Sequence, residues 1–128
     1  MKILIDTCAF LWIVEESPKL SQRALTAFMD LENERFLSAA SAWEIAIKYA
    51  SGRLKLSGKP EILVPGIRHS SGIQSLEIDE ESALLAGRLS RFHTDPFDRL
   101  LVAQAIVHDM VILTPDPHIE QYAVRVLW

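Results

Sequence analysis

The chain has 128 residues, 49% of them hydrophobic and 23% charged, which predicts a single domain over residues 1–128 and excludes intrinsic disorder. Its 17 acidic residues outnumber 13 basic ones, for a net charge of −4, so it is not a protein that coats nucleic acid by charge alone. The longest apolar run, residues 8–14, falls well short of the roughly 20 residues a membrane-spanning helix needs, and a lone cysteine, Cys8, excludes an intrachain disulfide and a cysteine zinc site. Lys2 is the only early positive charge and Asp6 interrupts the first apolar stretch, so no leader peptide is expected. The expected compartment is the reducing cytoplasm.

The apolar run Lys2–Ile5 predicts a buried strand ending at Asp6-Thr7, and residues 9–14 begin a helix behind it. Residues 21–31 form an amphipathic helix with Ala24, Leu25, Phe28 and Leu31 on one face. A second strand is expected over residues 35–38. Residues 41–49 are apolar on nearly every side, which predicts a buried helix, and Ser41 and Glu44 have the spacing of a capping box. Residues 60–69 read as a weaker helix broken at Pro65-Gly66. A strand over 74–78 precedes a helix over 79–89 capped by Asp79. Asp95 caps the helix over 95–108, with Pro96 at its first position. Strands at 110–113 and 124–127 complete the pattern. Strands alternating with helices predict an α/β fold, a mainly parallel central sheet in a three-layer α/β/α arrangement. In such sheets the functional crevice lies beyond the carboxyl ends of the strands.

Five carboxylates can converge on that edge. Asp6 ends the first strand and Asp116 follows the strand at 110–113. Asp95 and Asp98 open the long helix leading into that strand, and Glu44 lies near the start of the helix after the second strand. Each has a bland explanation alone. Asp95 is a helix cap, Asp98 favours the helix dipole, Glu44 completes a capping box, and Asp116 sits in a turn. Asp6 can cap the next helix, although Thr7 is equally placed to do so. Together they repel one another unless protons or a cation neutralise them. An all-oxygen cluster suits Mg²⁺ or Mn²⁺, which can activate water for displacement at phosphorus.

Other residues carry weaker signals. His69, His93, His108 and His118 lack metal-ligand spacing and read as surface or capping residues. Trp12, Trp43 and Trp128 read as core, and Cys8 as a small buried hydrophobe. Two rival enzyme classes lack a required residue. An aspartyl phosphatase needs a second Asp two residues after the first, and a phospho-acceptor receiver domain needs a Lys that residues 114–118 do not contain.

Four stretches together resemble the PIN-domain ribonucleases, and more closely the VapC-type toxins of bacterial toxin–antitoxin pairs. They are Ile3-Leu4-Ile5-Asp6-Thr7, Ser41-Ala42-Trp43-Glu44, His93-Thr94-Asp95-Pro96-Phe97-Asp98-Arg99-Leu100-Leu101 and Leu113-Thr114-Pro115-Asp116. The resemblance implies a metal-dependent endoribonuclease that hydrolyses RNA phosphodiesters. Asp6, Glu44, Asp98 and Asp116 are its implied catalytic and Mg²⁺- or Mn²⁺-binding residues, Glu44 directly or through water, with Asp95 a companion near the ion. It also implies a cognate antitoxin and a homodimer. Leu11, Trp12, Ile13 and Leu20 are candidates for either contact, or for the core. Many relatives carry His where this chain has Cys8. Without the five site carboxylates the acidic excess disappears, so a loaded crevice need not repel RNA. Lys48, Arg53, Lys55 and Lys59 read equally as phosphate contacts or as a solvated helix end, and Arg99 as a partner of a site carboxylate, a substrate contact or a surface ion pair. The alternative function is a PIN-like module that binds RNA or protein without cutting.

Overall fold

In the computed structural model, which describes residues 1–128, the first apolar run forms β1 (Lys2–Ile5), with Ile3, Leu4 and Ile5 fully buried. Burial of consecutive residues is the mark of a strand covered on both faces. β1 is the centre of a five-stranded sheet made with β2 (Glu34–Ser38), β3 (Ile73–Leu76), β4 (Val111–Leu113) and β5 (Arg125–Leu127). The strand order is β3-β2-β1-β4-β5 and every pairing is parallel. The chain therefore winds outward from β1 through β2 to β3, then returns to the far side of β1. That reversal of direction opens a crevice between the carboxyl ends of β1 and β4.

Six helices connect the strands: α1 (Thr7–Val14), α2 (Gln22–Met29), α3 (Ala39–Ala50), α4 (Pro60–Ser71), α5 (Glu80–Arg88) and α6 (Pro96–His108). Alternate side chains of a strand point to opposite faces, and β1 obeys this. Ile3 and Ile5 join Phe10, Phe28, Ile45 and Val64 in one core. Leu4 joins Leu101, Val102, Ile112 and Tyr122 in another. Two cores on two faces of one sheet make three layers. No helix is long and apolar enough to cross a membrane.

Several elements differ from the expectation. α3 starts at Ala39, because Ser38 rather than Ser41 caps it, its hydroxyl accepting from Ala40 N–H at 3.0 Å. Glu44 thus lies a full turn into the helix and is no part of a capping box. Ser41 instead accepts a buried hydrogen bond from the Thr7 hydroxyl at 2.9 Å. α3 is also not buried all round, since Trp43 is 60% exposed and stacks edge-on against Phe97. α4 runs through Pro65 unbroken. The hydrogen bond that proline cannot make belongs to the carbonyl of Glu61, an exposed residue, where water can replace it. The helix stops at Gly72, whose φ of +66° is the left-handed conformation that favours glycine. α2 ends at Met29, leaving Leu31 outside it and exposed. β3 sits slightly earlier than expected and excludes Ile78.

Candidate functional site

Register fixes the first carboxylate. Ile5 lies opposite Leu37 on one side and Leu113 on the other, so Asp6 emerges from the sheet beside Ser38 and Thr114. Its Oδ1 accepts from Ala9 N–H at 2.6 Å and caps α1, while Thr7 becomes the first helical residue. Its Oδ2 accepts from the Thr114 hydroxyl. The Thr114 oxygen in turn accepts from Asp116 N–H at 3.0 Å. Thr114 thereby locks the ends of β1 and β4 together. The sequence reading missed this residue, although its register opposite Asp6 is the signal that identifies it.

α6 carries the next pair. Asp95 Oδ1 accepts from Phe97 N–H at 2.8 Å and Asp98 N–H at 3.4 Å. It is the helix cap the sequence predicted, and it fixes the turn that aims Asp98. Deeper in α6, the fully buried Gln104 accepts from the Ser38 hydroxyl at 2.6 Å and donates to the Glu77 carbonyl at 3.0 Å. This ties α6 to the end of β2, where α3 begins.

His93 is not the surface residue expected from its loop position. Its ring is 17% exposed, with Nε2 2.8 Å from Asp116 Oδ2 and 3.1 Å from Asp98 Oδ2. His118 also faces Asp116, donating its N–H to Oδ1 at 2.8 Å, with its ring Nδ1 3.1 Å away. The available signal for His93 was its position two residues before a helix cap, where its ring can accept from the cap's own N–H.

α3 supplies Glu44, which is 5% exposed. One oxygen pairs with Lys48 Nζ at 2.6 Å. The other, Oε1, is buried with no hydrogen-bond partner.

Asp6, Glu44, Asp95, Asp98 and Asp116 all line one cleft of about 520 Å³. Burial, hydrogen bonds and neighbouring charges shift three of these carboxyls. Burial, reinforced by the charges of Asp116 and Glu44, pushes Asp6 up to about 6 despite its hydrogen bonds from Thr114 and Ala9. Burial and the charge of Asp95 raise Asp98 further, to about 7, with His93 acting in the opposite sense. Asp116 is the exception. Burial works upward there too, but the His118 N–H and the rings of His93 and His118 outweigh it and hold the carboxyl below its ordinary range.

The basic residues sort differently from the expectation. Lys48 and Arg53 line the cleft, whereas Lys55 and Lys59 do not. Arg99 pairs with no carboxylate. Its guanidinium donates to the carbonyls of Ala86, Leu89, Ser90 and His93, at 2.8 to 3.3 Å. It therefore closes the end of α5 and pins the following loop, and the expected ion pair gives way to this structural role. Cys8 is exposed on the cleft wall rather than buried in the core. The cleft shields its thiol partly from water, and with the nearby Asp6 charge this pushes it up to about 11. Of the apolar residues proposed for partner contacts, Leu11, Ile13 and Leu20 are half-buried against the core, and Trp12 packs on Trp128 with ring centres 5.7 Å apart.

Comparison with known proteins agrees with this architecture. The solved VapBC-1 structure from nontypeable Haemophilus influenzae is similar at 18% identity, with a TM-score of 0.70 over 98% of this chain and 96% of that one. VapBC2 from Rickettsia felis, bound to a DNA fragment from its promoter, has 13% identity and a TM-score of 0.70, covering 98% and 97%. FitAcB from Neisseria gonorrhoeae has 22% identity and a TM-score of 0.66, covering 97% and 95%. A search of curated proteins finds no match. The family model of the PIN domain matches residues 3–125, a span that includes all five cleft carboxylates, and on this evidence the chain belongs to the PIN domain family.

Proposed function

We propose that this chain is a metal-dependent endoribonuclease that hydrolyses RNA phosphodiester bonds in the cytoplasm and acts as the toxin of a toxin–antitoxin pair. One observation carries the metal centre. Glu44 lines a cleft that holds four more carboxyls, and its Oε1 is a buried carboxylate oxygen with no hydrogen-bond partner. Leaving such an atom unsatisfied costs free energy that a cation would recover. The donors are all oxygens, the set that suits Mg²⁺ or Mn²⁺. Asp6, Glu44, Asp98 and Asp116 are the proposed ligands. Asp95 serves them from the helix cap, where it orients Asp98. When bound, the ion supplies activation of water and neutralisation of charge on the phosphoryl oxygens.

The chain's own residues prepare that chemistry. Thr114 orients Asp6 and, through the Asp116 N–H, fixes the neighbouring carboxylate. Lys48 and Arg53 are proposed to contact RNA phosphates at the mouth of the cleft. The likeness to solved VapBC and FitAB complexes supports a cognate antitoxin partner, and a homodimer is proposed on the family resemblance alone. Titration with Mn²⁺, followed by the loss of the free-ion paramagnetic signal, tests the centre. Wild-type protein should bind, and Glu44→Gln should bind at least about tenfold more weakly, the scale of losing a metal-site interaction. Equal binding by the two would overturn the assignment.

A further inference from the structure

His93, Asp116 and His118 bring ligand atoms within 4.8 Å of one another, an arrangement able to hold a metal ion. A second hydrogen bond on the His93 ring argues for a different role. Its Nδ1 lies 3.1 Å from the backbone nitrogen of Asp95, in hydrogen-bond geometry. A backbone N–H can only donate, so Nδ1 must accept, and an accepting Nδ1 carries no proton. The ring proton is then on Nε2. A metal ligated through Nε2 would force the proton onto Nδ1, setting two donors face to face. With its proton on Nε2, the ring donates to Asp116 at 2.8 Å and lies 3.1 Å from Asp98.

We propose that His93 is a positioning residue of the metal centre, a tautomer-locked donor that clasps Asp98 and Asp116 together, and is not itself a metal ligand. The proposal rests on the metal-centre reading above. Asp98 comes from the start of α6 and Asp116 from the loop after β4, and no direct hydrogen bond joins their side chains. His93 is the group that reaches both. Its backbone is held in place for the task, its N–H donating to the Tyr122 hydroxyl at 2.9 Å and its carbonyl accepting from Arg99 at 3.3 Å. The Tyr122 hydroxyl donates onward to the Ser90 carbonyl at 2.7 Å. Tyr122 and Arg99 thus brace the loop from two sides, and the ring is set by Asp95. Two carboxylates of like charge separate when nothing lies between them. A ring set between them, donating to Asp116 and in contact with Asp98, keeps both near the position an ion requires, before any ion arrives.

The test combines ¹⁵N spectroscopy of the histidine rings with Mn²⁺ affinity. In ion-free protein, His93 should show a protonated Nε2 and an unprotonated Nδ1, and should keep that pattern when Mg²⁺ is added. His93→Ala should weaken Mn²⁺ binding about tenfold or more, while His93→Gln, whose amide N–H can reach the same carboxylates, should stay within about threefold of wild type. A proton on Nδ1, or an Nε2 resonance that moves to a metal-bound position, would overturn the clasp. So would His93→Ala binding as tightly as wild type, or His93→Gln binding as weakly as His93→Ala. Wild-type protein that binds no Mn²⁺ would instead overturn the metal-centre reading underneath, and the ion-free spectrum reports the tautomer independently of it.

Discussion

Replacing Asp6 with Asn should make the ion-free protein more stable at neutral pH while removing its response to metal. The reasoning starts from the buried carboxyl, whose pKa is raised from 3.8 to about 6. A raised value means the folded state holds the proton more tightly than the unfolded state. Stability is therefore lost as pH climbs from about 4 through about 6. Holding the proton that much more tightly corresponds to about 3 kcal/mol above that window. The figure already includes the bonds from Ala9 N–H and the Thr114 hydroxyl, which favour the ionised form. Asn resembles the neutral acid in size, keeps an acceptor for Ala9 N–H and offers its amide to the Thr114 oxygen. In EDTA, Asp6→Asn should match wild type within about 1 kcal/mol at pH 3.5 and exceed it by about 3 kcal/mol at pH 7.5. For a chain of this length that is an increase in Tm of about 10 °C. Urea and thermal unfolding at the two pH values measure it. Adding Mn²⁺ at about 100 times its dissociation constant should then stabilise wild type by about 2.7 kcal/mol, with no effect on the variant. A loss of stability of the same size at both pH values would refute the argument, because it would show Asp6 acting mainly as a helix cap.

Other predictions follow from the same geometry. Ion-free wild type should lose stability as pH rises from about 4 to about 7, because burial and Asp95 raise Asp98 to about 7, and Asp98→Asn should remove most of the upper part of that slope in a urea titration. Arg99→Ala should cost about 2–3 kcal/mol in urea unfolding, since four carbonyls lose a charged donor. Lys48→Met removes the only hydrogen-bond partner of the Glu44 carboxylate. It should lower ion-free stability by about 1 kcal/mol and enlarge the rise in Tm on adding Mn²⁺, and an unchanged rise would count against Glu44 as a ligand.

The sequence exposes most of what the backbone decides. Uniform burial of Ile3, Leu4 and Ile5 and the helix start at Asp95-Pro96 are local signals, and they place Asp6, Asp98 and Asp116 at one edge once the sheet is parallel. What it concealed depends on contacts between distant segments. Ser38 and Ser41 are equally good caps in isolation. Ser41 is claimed by Thr7, 34 residues away, so the helix begins earlier and Glu44 turns from a cap into a buried acid. Arg99 looks like a partner for Asp98 beside it. Adjacent helical residues do not face each other, however, and the open carbonyls at the end of α5 take its guanidinium. His93 reads as a loop residue because its partners, Asp116 and Tyr122, lie more than 20 positions later. Cys8 belongs to an apolar run but occupies the turn of α1 that faces the cleft rather than the core.

Cleavage of RNA by the purified, antitoxin-free protein tests the central claim most directly. The reaction is run with Mg²⁺ or Mn²⁺ and with EDTA, using wild type and Asp98→Asn side by side. The account predicts cleavage by wild type that needs the ion, and none by Asp98→Asn in either condition. Cleavage that persists in EDTA, or that Asp98→Asn retains at the wild-type rate, would contradict the metal-centre mechanism. A wild-type protein that neither cuts RNA nor binds Mn²⁺ would contradict the nuclease assignment itself.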